Sequence, residues 1–401
     1  MAFNSLLYIF KNHITRFLQL SLIVISFSCQ NKSLKESEDY ISIDIDTIIK
    51  NTSINFSDIF SNFHIIPLES NEECQFEFLS DIKIIDSIIY VYDRFKTKSV
   101  YLFSYNGTFL SKVYNIGRGP GEYINPTDFV IDSNSGTILV YDWASKKLNE
   151  YDKQGNCIKT VTFTNRFMSF ILDNDQIFTY IPYPENPENP DDNLLKIFDR
   201  KANLISSHLN YQSVLKGPKI LEFQFGGYFF KAKNDIKFFP IYNNTVYSIT
   251  NDSIHPFLVL NSNEYKLTQK DLNNIDLDKP IDRINAIQRT NKFLKVHQYS
   301  ENCEIAYFII DIGFNQYHTF YNFRTKKVKC TIRFNDDITL IFPNFSSLRE
   351  NQFITYLHPT RIAKFLELIN SDKIKVSEKQ KKSLENVTNF SNPIIIIYDL
   401  K

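Results

Sequence analysis

Between residues 83 and 208 the chain repeats a four-strand pattern, and this restricts the fold more than any other feature. The segments "KIIDSIIYVYD" (83–93), "FVIDSNSGTILVYD" (129–142) and "FILDNDQIFTY" (170–180) each join two apolar, β-branched or aromatic runs through Asp, Asn or Ser. That is the grammar of a β-hairpin with turn chemistry at its centre. A second hairpin follows each: "LFSYNGTFLSKV" (102–113), "EYDKQGNCIKTV" (150–161) and "IFDRKANLISSH" (197–208). Phe103, Tyr151 and Phe198 align, as do Gly107, Gly155 and Ala202, at offsets of 48 and 47 residues. A lone four-stranded sheet cannot bury both faces, whereas sheets stacked around an axis can. A four-strand unit recurring at this length therefore predicts a β-propeller.

The pattern continues through "FFPIYNNTVYSITNDSIHPFLVL" (238–260) and "IAYFIIDIGFNQYHTFYNFRTKKVKCTIRF" (305–334). Insertions interrupt it at 182–193, around 262–295 and at 351–388, where "RIAKFLELI" and "KQKKSLENV" read as helices. With these subtracted, residues 41–401 hold six blades, an all-β six-bladed propeller with a short helical insertion near the C-terminus. "ISIDID" (41–46) alternates as an edge strand does, and "NPIIIIYDLK" (392–401) is strongly β-branched. Pairing strands from both termini in one blade would fasten the ring and remove an exposed edge. Ser57 to Phe63 reads as a short helix before "HIIPLES" (64–70).

Gly is scarce, at 10 of 401 residues, so the turns must rely on Asn, Asp and Ser. The 36 Phe and 23 Tyr supply rings that pack well on pleated surfaces. Acidic and basic residues balance at 45 each, with no basic run interleaved with aromatics, which argues against a nucleic-acid partner. At the N-terminus, Lys11 and Arg16 precede the apolar run from Phe17 to Phe27, too short to span a bilayer but the size of a signal-peptide core. The run ends at Ser26-Phe27-Ser28-Cys29, which resembles a bacterial lipoprotein box with Ser26 in place of the usual aliphatic residue. The expectation is a signal peptide over 1–28, lipidation at Cys29, a polar tether over 29–40, and an outer-membrane lipoprotein of the cell envelope. Of the other cysteines, Cys74, Cys157, Cys303 and Cys330, none forms a CxxC pair. Cys303 with Cys330 could form a disulfide, and free thiols fit the spacing equally well.

The stretch "IGRGPGEY" (116–123) concentrates three of the ten glycines. A strand-forming segment follows it, and no helix N-terminus stands ready for a phosphate, so it is not a nucleotide loop. It reads as the crossover from the first blade to the second. Arg118 and Glu122 either pair across this loop or face the central channel, where Arg118 would offer a bidentate group to a ligand carboxylate. Tyr123 belongs to the same candidate ligand or structural loop.

Taken together, "IPLES" (66–70), "YVYD" (90–93), "YNGTFLSKVYNIGRGPGEYINPTDFVID" (105–132) and "NPIIIIYDLK" resemble the six-bladed propeller lipoproteins of Bacteroidetes-type bacteria, related to NHL-like propellers. The resemblance implies the fold and an envelope location and no settled activity.

Local catalytic motifs are absent: no HxH, HExxH or GxSxG occurs. A propeller gathers its ligands one per blade, so a dispersed site, with calcium as one cofactor it could hold, stays open. Asp93, Asp128 and Asp142 are acidic candidates at strand ends, where Asp also serves turns. Trp143, the only tryptophan, is either a sugar-stacking platform or a packing residue. The leading expectation is a non-catalytic binding or scaffold module for a glycan, a peptide or an outer-membrane protein partner. The alternative is a metal-dependent hydrolase or lyase acting in the axial channel.

Overall fold

A computed structural model describes residues 40–401 apart from 50–52, 184–191, 214, 216–226, 251–252, 274, 276–278 and 342–343. The leader, Cys29 and most of the tether lie outside the described residues. The chain enters through β1 (Ile41–Asp44), a helical turn α1 (Ile45–Ile48), β2 (Ser53–Asn55) and β3 (Phe60–Pro67). Blade 1 comprises β4 (Asp81–Ile85), β5 (Ile88–Asp93), β6 (Ser99–Ser104) and β7 (Phe109–Val113). Blade 2 comprises β8 (Pro126–Ile131), β9 (Ile138–Asp142), β10 (Lys147–Tyr151) and β11 (Cys157–Thr162). Blade 3 follows as β12 (Ser169–Asp173), β13 (Gln176–Tyr180), β14 (Asn193–Asp199) and β15 (Leu204–Asn210). Blade 4 holds β16 (Phe229–Lys231), β17 (Ile236–Phe238), β18 (Thr245–Thr250) and β19 (Ser253–Asn261).

Helices α2 (Gln269–Asn273) and α3 (Pro280–Arg289) precede blade 5, which is β20 (Phe293–Glu301), β21 (Ile305–Ile312), β22 (Asn315–Asn322) and β23 (Val328–Thr331). The short β24 (Arg333–Asn335) pairs with β2. Blade 6 opens with β25 (Asn344–Arg349) and β26 (Gln352–Leu357), inserts α4 (Pro359–Asn370) and α5 (Glu378–Ser383), and resumes with β27 (Ile394–Leu400). Its fourth strand is β3, so a six-bladed propeller closes through both ends of the chain.

Hairpin turns explain how so few glycines suffice. Asp86 and Ser87 take φ of 48° and 62° between β4 and β5, and Asn174 and Asp175 take 46° and 62° between β12 and β13. Those left-handed pairs match the strand twist, and Asn and Asp tolerate them better than most residues.

The apolar runs are continuous because both faces of each blade are covered. In β5, Ile89 and Val91 pack towards blade 6, while Tyr90 and Tyr92 pack towards blade 2. Similar clusters fill the other blade interfaces, so the core is a set of wedges around the axis rather than one central mass. Helix α4 extends the wedge between blades 5 and 6. Its buried Ile362, Phe365, Leu368 and Ile369 recur at helical spacing and join a cluster with Phe56, Phe353 and Tyr398.

Two expectations at the N-terminus need correction. Residues 41–44 are an edge strand, but β1 adds parallel to β19 of blade 4 rather than joining the closing blade. The closing strand comes later: Ile66 faces Ile395 and His64 faces Ile397 in the antiparallel β3–β27 ladder. Ser57–Phe63 is mostly that strand, preceded by one tight helical turn at Phe56–Asp58. Burial decides this, because Phe60, Phe63 and Ile65 are needed in the blade 5–6 wedge. Cys74 and Cys330 are buried free thiols, and Cys157 and Cys303 are exposed free thiols, so the Cys303–Cys330 bridge does not form.

Candidate functional site

First strands of successive blades contact one another around the axis, as β8 with β12, β12 with β16, β16 with β20, β20 with β25, and β25 with β4. They enclose a channel of about 1980 Å³ lined by residues of all six blades. That exceeds the few hundred to 1,000 Å³ usual for a small-molecule pocket.

Strand register places equivalent residues at one level of this wall. Asp81 faces Tyr92, Asp128 faces Tyr141, Ser169 faces Tyr180 and Lys295 faces Asp311. Each first-named residue lies near the start of its blade's first strand and lines the channel. Together they form an upper ring. Further along blades 1–3, Lys83, Val130 and Ile171, and then Ile85, Asp132 and Asp173, are among the residues that line the channel.

Most charges in the wall are matched. Lys83 Nζ lies 2.5 Å from Asp81 Oδ2, donates to the Phe129 carbonyl at 3.1 Å and stands over the Phe129 ring. Asp128 accepts from Ser169 Oγ at 2.7 Å and the Phe170 amide at 3.0 Å. Burial raises its pKa above the ordinary carboxylate value, against the opposing pull of Lys83. Lys237 lies between Asp235 at 2.5 Å and Glu301 at 3.7 Å, and Lys231 pairs with Asp173. Near the other end, Arg200 clasps Asp132 at 2.5 Å and Asp175 at 2.8 Å. Lys295 differs: Asp311 is 3.9 Å away, and burial lowers its pKa. Among the described residues no group of three or more His, Cys, Asp or Glu side chains is placed to hold a metal ion.

Residues singled out from the crossover loop sit away from this channel. "IGRGPGEY" does join β7 to β8, pinned by Gly117 N donating to Tyr123 O at 3.0 Å and Tyr123 N donating to Asn115 O at 2.9 Å. Glu122 folds its carboxylate back onto the Gly119 amide at 2.6 Å, and Arg118 is exposed. Tyr123 is buried, its hydroxyl donating to the Lys98 carbonyl at 2.8 Å. Neither Arg118 nor Glu122 lines the channel, which places the loop at the outer part of the blade 1–2 junction. Trp143 is half-buried in the β9–β10 turn, with the Arg166 guanidinium over its ring at 4.9 Å.

Of the acidic candidates, only Asp128 lines the channel. Asp142 is fully buried and accepts from the Asn125 amide at 2.8 Å and the Ile124 amide at 3.2 Å. Asp93 caps the Phe95 and Lys96 amides in the equivalent turn of blade 1. Lys83, Lys237 and Lys295 escaped the sequence reading because a charged residue on a strand looks like an ordinary solvent face. Tyr92, Tyr141 and Tyr180 flag only their own partners Asp81, Asp128 and Ser169, and no comparable signal marks the three lysines.

Residues 40–399 match the family described as a domain of unknown function, DUF4934. No curated protein matches the chain. Among solved structures, a presumed exported protein of Bacteroides fragilis superposes with a TM-score of 0.72 at 16% identity, covering 90% of this chain and 99% of its own. A Bacteroides vulgatus protein of the DUF4221 family gives a TM-score of 0.49 at 12% identity, over 85% and 97% of the two chains.

Proposed function

The chain belongs to the DUF4934 family, and from that premise we propose that it is a cell-envelope lipoprotein whose propeller captures a polar ligand, a peptide or glycan fragment, in its axial channel without transforming it. The observation that carries this reading is the wall itself: charged side chains from several blades stand on rigid first strands around one roomy cavity. Sites on strands hold their geometry better than sites on loops. Export is supported by the basic and apolar leader and by the likeness to a presumed exported protein. Anchoring is assigned to Cys29, whose thiol would accept the lipid; several acyl chains exceed what stable membrane attachment needs.

The test is a peptide and glycan array probed with the soluble chain from residue 31 onward, beside a Val130→Trp variant that fills the channel at mid-height. Capture by the native chain and its loss in a variant of unchanged melting temperature is the expected result. Capture that survives Val130→Trp would move the site elsewhere, and no capture at all would remove the reading. Stoichiometric calcium or zinc in the purified chain would favour the hydrolase or lyase alternative. Palmitate labelling should disappear in Cys29→Ala.

A further inference from the structure

The upper ring of the channel is electrically lopsided. Carboxylates stand on blades 1 and 2, at Asp81 and Asp128, while the ammonium of Lys295 stands on blade 5. In a closed ring of six, blades 2 and 5 are opposite, so the two signs face each other across the axis. The acidic side is provided for by Lys83, Ser169 and the Phe170 amide. The basic side is not. Lys295 carries three N–H donors on a side chain only 19% accessible, and its one ion-pair partner among the described residues, Asp311, lies beyond hydrogen-bond distance at 3.9 Å. Asp311 is itself shared with His297 Nδ1 at 3.6 Å and Gln316 Nε2 at 3.3 Å.

Tyr242, on the blade 4 side, lines the same channel. Its hydroxyl has no hydrogen-bond partner among the described residues, and its ring packs with Tyr180, Tyr211 and Tyr228 between blades 3 and 4. Its backbone amide donates to the Leu294 carbonyl at 2.8 Å, which ties blade 4 to the strand that carries Lys295. A buried ammonium with no hydrogen-bond acceptor among the described residues is costly, so Lys295 marks where an anionic group of a ligand would be received. Ile241, Ile287 and Leu294 line the same stretch and offer apolar contact.

The geometry points to Lys295 as the anchor for the free C-terminal carboxylate of a short peptide, with the peptide's amino end directed towards Asp81 and Asp128. This rests on the channel-binding reading above and names its ligand class. Because Asp311 already offsets part of the Lys295 charge, a singly charged carboxylate matches the site better than a phosphate dianion. A bulge between Phe293 and Lys295 re-aims the strand at this point, a common device beside binding sites.

The experiment is calorimetric titration of the chain from residue 31 onward with trialanine, trialanine amide, N-acetyl-trialanine and inorganic phosphate. The native protein should bind trialanine about ten-fold or more tightly than its amide, as expected for a charge-assisted hydrogen bond. Lys295→Gln should bind both equally weakly, and N-acetylation should cost affinity in the native chain but not in Asp128→Asn. Equal binding of trialanine and its amide by the native chain overturns the assignment without any variant. So does a carboxylate preference retained in Lys295→Gln, or phosphate binding tighter than trialanine. If trialanine does not bind while the array yields a neutral glycan lost in Val130→Trp, the channel reading stands and the peptide assignment falls.

Discussion

Gly155→Ala tests whether the repeat is a packing rule rather than a sequence resemblance. Gly107, Gly155 and Ala202 occupy equivalent turns between the third and fourth strands of blades 1, 2 and 3, with φ of 89°, 85° and 63°. At Gly155 an added Cβ would lie 2.6 Å from the Lys112 carbonyl oxygen on the outer strand of blade 1. Ordinary contact begins near 3.4 Å, so a backbone must give by about 0.8 Å in a wedge with little slack. The left-handed conformation costs an alanine about 1–2 kcal/mol, and overpacking adds about 1–3 kcal/mol. The sum is about 2–5 kcal/mol. Gly107→Ala should cost at least as much, since its Cβ would meet the Pro67 carbonyl oxygen at 2.0 Å. Ala202→Gly should change stability by no more than about 1 kcal/mol, because the native chain already accommodates a methyl group there. Urea denaturation of the three variants is the assay. A Gly155→Ala cost within 0.5 kcal/mol, roughly the scatter of such measurements, of the Ala202→Gly effect would refute the reasoning.

Three further outcomes follow from the structure. Burial, with a smaller contribution from His297, lowers the His318 pKa to about 4, and its Nδ1 lies 2.8 Å from the Tyr307 hydroxyl. The unfolded chain therefore takes up this proton first, so its stability contribution is complete above pH 6.5 and lost as pH falls towards 4, by about 3 kcal/mol in all. His318→Phe should flatten that part of the urea-midpoint profile, and an unchanged slope would assign the effect to other groups. Asp142→Ala strands the Ile124 and Asn125 amides and should cost about 2–4 kcal/mol by denaturant titration; a loss below 1 kcal/mol would show that water replaces it. Deleting residues 394–401 removes the strand between β26 and β3, and a cooperative melt surviving that deletion would mean closure is dispensable.

The blades were legible because both hairpin turns and strand alternation are local, and three copies of the same grammar reinforce one another. Closure was half legible: Ile394–Ile397 advertise a buried strand, but the N-terminal strand that meets them is chosen by the blade 5–6 wedge, not by the alternation at 41–46. A parallel partner more than two hundred residues away, as Ile41 has in Leu258, leaves no local trace. The candidate site was less visible still. The glycine cluster drew attention to a loop that proves to be a self-satisfied corner, while Lys295 stood at the end of a stretch read as an insertion. Its significance depends on which strand of the blade is innermost, and that is set by the ring rather than by neighbouring residues.

The placement of β1 has a mechanical consequence. The chain is fastened to blade 4 by β1, then passes α1 against β23 and pairs β2 with β24 before entering blade 6 through β3. Tension applied from residue 40 along the direction of β1 would fall first on the parallel β1–β19 ladder, sliding one strand along its neighbour and loading its hydrogen bonds together. The clasp between β3 and β27 lies further along the path, shielded until that ladder and the β2–β24 pair have yielded. A propeller tethered at this end could thus be tugged without having its ring pulled open.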